Sequence, residues 1–317
     1  MARTPACYES AEKFLFRITL ALLAADAFLI AFHQAAMDWP AYSTLGGLVL
    51  ILLSLGFFYR RSGRSAELGS VTTATGIFIL FTGSLSLFNY LLTPNPNPVI
   101  DHWLIRLDTM LGYDWPAIVA WSGEHPWFNQ AMRLAYISTL PQIALLVVVL
   151  ALSNRVKELH SLMVAVAIAS LMAVVFWAIF PSIGPSAYFE LPADVLQRVQ
   201  PVVSPEYGVE IAVHLGSGIS LLSPDEFRGM IAFPSMHIVL AGIATLHARC
   251  IRWLFLPYAL VNLAVVPGVL VHGGHHLVDI PGGIALLVVA LACARMVLEP
   301  QRRQELAAGT GTVGLSR

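Results

Sequence analysis

Eight runs of about twenty mainly apolar residues divide this chain, and no other feature constrains its fold as tightly. They fall at residues 14–33, 43–59, 70–92, 132–152, 159–180, 230–247, 253–271 and 276–298. About 20 such residues are what a helix needs to cross the hydrocarbon core of a bilayer. The chain therefore reads as all-α, a multi-pass membrane helical bundle of about eight transmembrane helices. Composition agrees: 57% of the 317 residues are hydrophobic, 12% are charged and the mean hydropathy is +0.73. Soluble domains carry roughly 25% charged residues, so a water-solvated globule is excluded, and so is a disordered chain. A formal net charge of −1 offers no electrostatic reason to expect nucleic acid as a partner.

The basic residues orient the runs. Short cytoplasmic loops collect Lys and Arg. Arg60, Arg61 and Arg64 follow the second run, Arg155 and Lys157 the fourth, Arg249 and Arg252 the sixth, and Arg295, Arg302 and Arg303 the last. Only Arg106, Arg133, Arg198 and Arg228, 4 of the 18 basic residues, fall on the opposite side. Eight crossings then place both termini in the cytoplasm, in a plasma or bacterial inner membrane. The first run lacks a small-x-small cleavage site and reads as a retained anchor. Cys7, Cys250 and Cys293 are too few and scattered for a disulfide framework or a thiolate metal site.

Two long segments remain outside. In 93–131, the stretch Asp101 to Gly112 alternates apolar and polar residues at helical spacing and predicts an interfacial helix. The second segment, 181–229, has six prolines and two short amphipathic stretches, and a loop of this length usually has a function. Residues 302–317 read as a disordered tail. Trp39, Tyr42, Trp103, Tyr113, Trp115, Trp121 and Trp127 lie in or near outer loops and suit an aromatic belt without a catalytic part.

Ionisable groups near a membrane interior mark function by default. Four of the ten histidines gather at two places, both at outer starts of helices: FPSMH, ending at His237, and HGGHHLVD, from His272 to Asp279. Pro234 suits the first turn of a helix, which would leave the N–H groups of Ser235 and Met236 pointing outward as an anion site. Ser235 adds a hydroxyl, and His237 can supply a proton to a departing oxygen. His275 and Asp279 lie four apart. On a helix they would share a face; with Pro281 so near, a helix starting at Ile280 would instead leave both in the approach loop. Either way a carboxylate on one imidazole nitrogen frees the other as a nucleophile.

FPSMH followed some forty residues later by HHLVD resembles the type 2 phosphatidic acid phosphatase superfamily, and within it the branch containing fungal inositol phosphorylceramide synthase. The likeness covers roughly residues 70–298, a six-helix core whose long outer loop lies between its third and fourth helices. It implies domains at 1–69 (a two-helix membrane addition), 70–298 (the catalytic core) and 299–317 (a cytoplasmic tail). It also implies roles: His275 as nucleophile forming a phosphohistidine, Asp279 orienting it, His237 protonating the leaving alcohol, and Ser235 with the amide of Met236 holding phosphate oxygens. No metal or cofactor is required. The substrate is a lipid phosphoester, and the product side is open: a phospho-headgroup passes to an acceptor such as inositol or a sphingoid lipid, or water hydrolyses a phosphatidate or polyprenyl pyrophosphate. Two of the family's usual cations are missing, since Phe180 to Ser186 and Val269 stand where Lys and Arg are common. Arg133 and Arg228 are the candidate replacements, because a phosphate ester needs positive charge.

Two rival readings fit the residues less well. His272-x-x-His275-His276 resembles one histidine box of the membrane di-iron hydroxylases, which need several; His33, His102, His125, His160, His214 and His247 are isolated. A transporter would explain Asp26, an acid in mid-span, but no inverted repeat accompanies it. Asp26 is expected to pair with Arg17 or with a polar group of a neighbouring helix, such as Asn89 or Asn262, and to serve helix packing.

Overall fold

The computed structural model describes residues 6–311, with side chains from 11 to 299. Among these residues the chain forms twelve α-helices, two 3₁₀ turns and no strand beyond one isolated bridge, between Met37 and Leu222. Helices α1 (Ala6–His33), α2 (Trp39–Ser62) and α3 (Ala66–Leu91) come first. Two short helices, α4 (Asp101–Met110) and α5 (Trp115–Gly123), then lead into the long pair α6 (Pro126–Leu152) and α7 (Val156–Ile179). Within 181–229 lie α8 (Ala193–Val199) and α9 (Pro205–Ser217), and the chain closes with α10 (Met236–Ala248), α11 (Arg252–His272) and α12 (Asp279–Gly311).

Local sequence explains several starts. The side chains of Asp38, Ser65, Asp114 and Ser204 accept from amides of the first turns of α2, α3, α5 and α9, and proline occupies the first turn of α2, α5, α6 and α9, where a missing N–H is harmless. Helix α7 sits deepest. Leu162, Ala165, Ala169, Ala173 and Trp177 are all fully buried, and its small residues let neighbouring backbones come close. Helix α1 packs against α3, α7 and α12, whereas α2 rests mainly on α3.

Seven helices are long and apolar enough to cross a membrane. The sixth expected run is the exception: helix begins only at Met236, and α10 has 13 residues, about 20 Å at 1.5 Å per residue. Residues 230–235 are irregular because their polar groups bond to other segments: Phe233 N donates to Ser182 Oγ at 2.7 Å and Ser235 N to the Asp279 carbonyl at 3.2 Å. Such backbone is tolerated at depth when protein surrounds it, and α10 is packed by α6, α7, α11 and α12.

Other expectations resolve as follows. The interfacial helix is α4, and the two amphipathic stretches of 181–229 are α8 and α9. Helix α12 continues to Gly311, so helix covers most of the expected disordered tail, and residues 312–317 lie outside the described residues. Trp39, Trp103, Trp121 and Trp127 are exposed, as a belt requires. Trp115 does not belong to it: the ring is buried and its indole N–H donates to the Leu270 carbonyl at 3.0 Å. Asp26 does pair with a polar group of a neighbouring helix, but that group is neither Asn89 nor Asn262: it accepts from Ser84 Oγ of α3 at 2.5 Å, because α3 is the helix against which α1 lies.

Candidate functional site

The two histidine motifs meet at one end of the bundle. His275 lies in the loop before α12, and Asp279 is the first residue of that helix, so the pairing is made by an approach loop and not along one helical face. His275 Nδ1 stands 2.8 Å from Asp279 Oδ2, which leaves Nε2 facing Ser235 Oγ at 3.4 Å. The carboxylate fixes the Nδ1–H tautomer and puts the lone pair on Nε2. The His237 and His275 rings are 6.3 Å apart, centroid to centroid, at 71°, and His237 stacks on Tyr136 of α6 at 4.1 Å. Close approach of α12 to the Ser235 turn depends on Gly283, where an added Cβ would sit 2.7 Å from the Ser235 carbonyl oxygen.

The anion site differs from the sequence-based expectation. Pro234 precedes Ser235, which is the N-cap, so the proline lies outside the first turn. The Ser235 N–H does not point outward, because the Asp279 carbonyl takes it. The first bond down α10 runs from Val239 N to Ser235 O, so the donors left at its start are the amides of Met236, His237 and Ile238.

Of the two candidate arginines, Arg133 lies on α6 one turn before Tyr136, within electrostatic range of His272, and its buried Nε has no hydrogen-bond partner. Arg228 is engaged elsewhere: its guanidinium lies 5.2 Å from the Tyr207 ring centre and its backbone N–H donates to Tyr90 Oη. The histidines of the apparent box diverge. His272 Nε2 pairs with the Asn129 carbonyl at 3.0 Å, while His276 turns to α4, with Nδ1 2.8 Å from Asp108 Oδ2 and Nε2 3.5 Å from Asp101 Oδ1.

With two histidine motifs joined around one serine at the base of α10, the comparison with known families is informative. A family model described as the PAP2 superfamily matches residues 102–293. The chain belongs to the PAP2 superfamily. No curated protein matches it, and no solved structure matches it. Membership supports a lipid phosphoesterase of the phosphatase type. The matched span covers the site residues from Asp108 to Asp279, and Asp101 lies one residue before it.

In this PAP2 chain sequence reasoning missed four groups. Tyr136 forms the aromatic floor under His237. Tyr113, read as belt, donates through Oη to the His275 carbonyl at 3.3 Å, and burial pushes its phenol pKa upward. Asp101 and Asp108 of α4 are buried against His276. Burial opposes charge on the His276 ring, but the Asp101 carboxylate 3.5 Å from Nε2 and the hydrogen-bonded Asp108 carboxylate, with Asp279 nearby, prevail and raise its pKa to about 9. One signal was available: residues 101 and 108 are seven apart, two helical turns on one face.

Proposed function

We propose that this chain is a membrane lipid phosphoesterase that works through a phosphohistidine on His275 and passes the phosphoryl-bearing group to an alcohol. One observation supports it above all: His275 has a carboxylate on Nδ1 and a free Nε2 aimed at Ser235, with His237 beside it. In the first half-reaction Nε2 attacks phosphorus and the bond to the leaving lipid alcohol breaks. A protonated His237 gives its proton to the departing oxygen. In the second, an acceptor hydroxyl loses its proton to His237 and attacks phosphorus, the P–N bond breaks, and His275 returns to its starting tautomer. Ser235 Oγ, the first amides of α10 and Arg133 are the donors to the phosphate oxygens. Arg133 is preferred over Arg228 because its Nε is buried with no partner.

Transfer to an alcohol such as inositol or a sphingoid lipid is favoured over hydrolysis by the synthase-like motifs and by burial. His275 is only 3% exposed, and a site that excludes water protects a reactive intermediate from hydrolysis. The motifs lie at the end of the bundle opposite Arg249 and Arg252, which follow the far end of α10; the charge pattern favours that end as the extracytoplasmic one. The test is to incubate purified protein with labelled phospholipid, with and without inositol or ceramide, and to separate the products. A new phosphorylated alcohol is the expected result; free phosphate alone overturns transfer, and no turnover of any phosphoester overturns the whole reading.

A further inference from the structure

Helix α4 is amphipathic in an inverted sense. Trp103, Leu107, Met110 and Leu111 face outward, whereas Asp101 and Asp108 are 0% and 5% exposed. Two carboxylates buried two turns apart need partners, and the partners all come from the segments around the nucleophile. Asp108 Oδ1 accepts from Leu277 N at 3.1 Å while Oδ2 holds His276 Nδ1. Asp101 Oδ1 accepts from Gly184 N at 2.7 Å and both its oxygens from Ile183 N at 3.0 Å, with His276 Nε2 at 3.5 Å. The backbone N–H of His276 in turn donates to Asp279 Oδ2 at 2.9 Å, the same oxygen that holds His275 Nδ1.

Just before the nucleophile the chain is soft. Gly273 and Gly274 precede His275, and Gly274 has φ +57°, so the local backbone does little to set the imidazole's direction. Gly184, held by Asp101, abuts the Gly274 carbonyl. Besides Asp279 and Tyr113, which hold His275 directly, two further restraints reach the loop, one from its far side through residues 276 and 277 and one from the 183–184 turn laid against it. Both restraints end on α4.

We propose that Asp101 and Asp108, acting through the His276 ring between them, are positioning residues that hold the flexible 273–277 loop so that His275 Nε2 points at the phosphorus. The proposal rests on His275 as nucleophile. Angular error at such an atom is costly, since a displacement of about 1 Å can lower rate about 10²-fold. The charged groups facing the His276 ring are Asp101 and Asp108 from α4 and Asp279 from α12, with His275 and the Tyr113 hydroxyl on the adjoining loop. None is a cation, so the clamp holds only while the His276 ring carries its proton.

The experiment compares the full-length wild type with Asp108→Asn, His276→Gln, the double variant and His275→Ala, measuring kcat, KM and pH dependence on a labelled phospholipid. Asp108→Asn keeps an oxygen for the Leu277 N–H. Its kcat should fall about 10²-fold with KM unchanged, and the alkaline limb of kcat should move down from near pH 9 toward the ordinary imidazole range. His276→Gln should lose kcat to the same extent and show no alkaline limb from this group, and the double variant should lose no more kcat than either single change. Losses that multiply, an unmoved alkaline limb, or a rise in KM at constant kcat overturn the clamp. If Asp108→Asn fails to fold, Asp101→Asn is held to the same outcomes. His275→Ala separates the two ideas: wild-type turnover in that variant sinks the nucleophile itself, whereas its inactivity beside an unaltered Asp108→Asn sinks only the clamp.

Discussion

Buried acids occur in two parts of this protein, and they are treated differently. In the N-terminal helices Asp26 has one hydrogen bond, from Ser84, and its Oδ1 lies buried without a partner. At the site Asp279 Oδ1 is buried without a partner too, but Asp101, Asp108 and Asp279 each bind at least two groups, and most of those groups belong to loops. A lone carboxyl joining two long helices adds little to what their packing already achieves. A loop has no such packing, so carboxylates that gather several of its N–H groups determine its shape. The contrast separates an acid that joins helices from acids that orient chemistry.

The largest effect should come from His275→Ala. Removing a covalent nucleophile from a coupled set costs on the order of 10⁶-fold in kcat, measured by product formation, while the purified protein should elute as wild type does. Asp279→Asn should follow at about 10⁴-fold, since the amide cannot hold the Nδ1–H tautomer in the same way; trapping of labelled phosphoprotein should fall in parallel. His237→Ala should lose about 10²- to 10⁴-fold, and a substrate whose leaving group needs no proton should recover much of it.

The pH dependence of stability should distinguish the two regions as well. His276 has its pKa raised above the unfolded value to about 9. Its ion pairs therefore stabilise fully below the ordinary imidazole pKa of about 6.5, and that stabilisation disappears as pH rises through 9. Thermal unfolding of wild type should fall toward that of Asp108→Asn over this window, by an amount on the order of 3 kcal/mol. The smallest effect belongs to Ser84→Ala. Leaving Asp26 without its hydroxyl partner should cost about 1–3 kcal/mol of stability with turnover per folded molecule unchanged; a large loss of kcat would erase the distinction between the regions.

Much of this was legible in the chain itself because it depends on local pattern. Run length reveals the long helices, since hydrocarbon thickness sets a length that sequence can be measured against. FPSMH and HHLVD expose the candidate reactive groups because chemistry needs particular side chains. Less visible was Ser235, whose N–H serves the Asp279 carbonyl in place of a ligand, and the break before Met236 that shortens α10. Asp101 and Asp108 were readable as one polar face of an interfacial helix, but periodicity does not tell whether such a face meets water or protein. Ser84 as the partner of Asp26 was not visible at all, because 58 residues separate them.

Sequence alone determined that this chain is a bundle of membrane helices and which side chains, two histidines with a serine and an aspartate, are the candidates for its chemistry, because hydropathy and functional-group chemistry are properties of short segments. Tertiary structure alone decided that the two imidazoles come within 6.3 Å of each other, that Ser235 stands against one and Tyr136 beneath the other, and that α4 turns its acids inward to grip His276. Those relations depend on which helix ends come together, and that is settled by packing between segments distant in the chain.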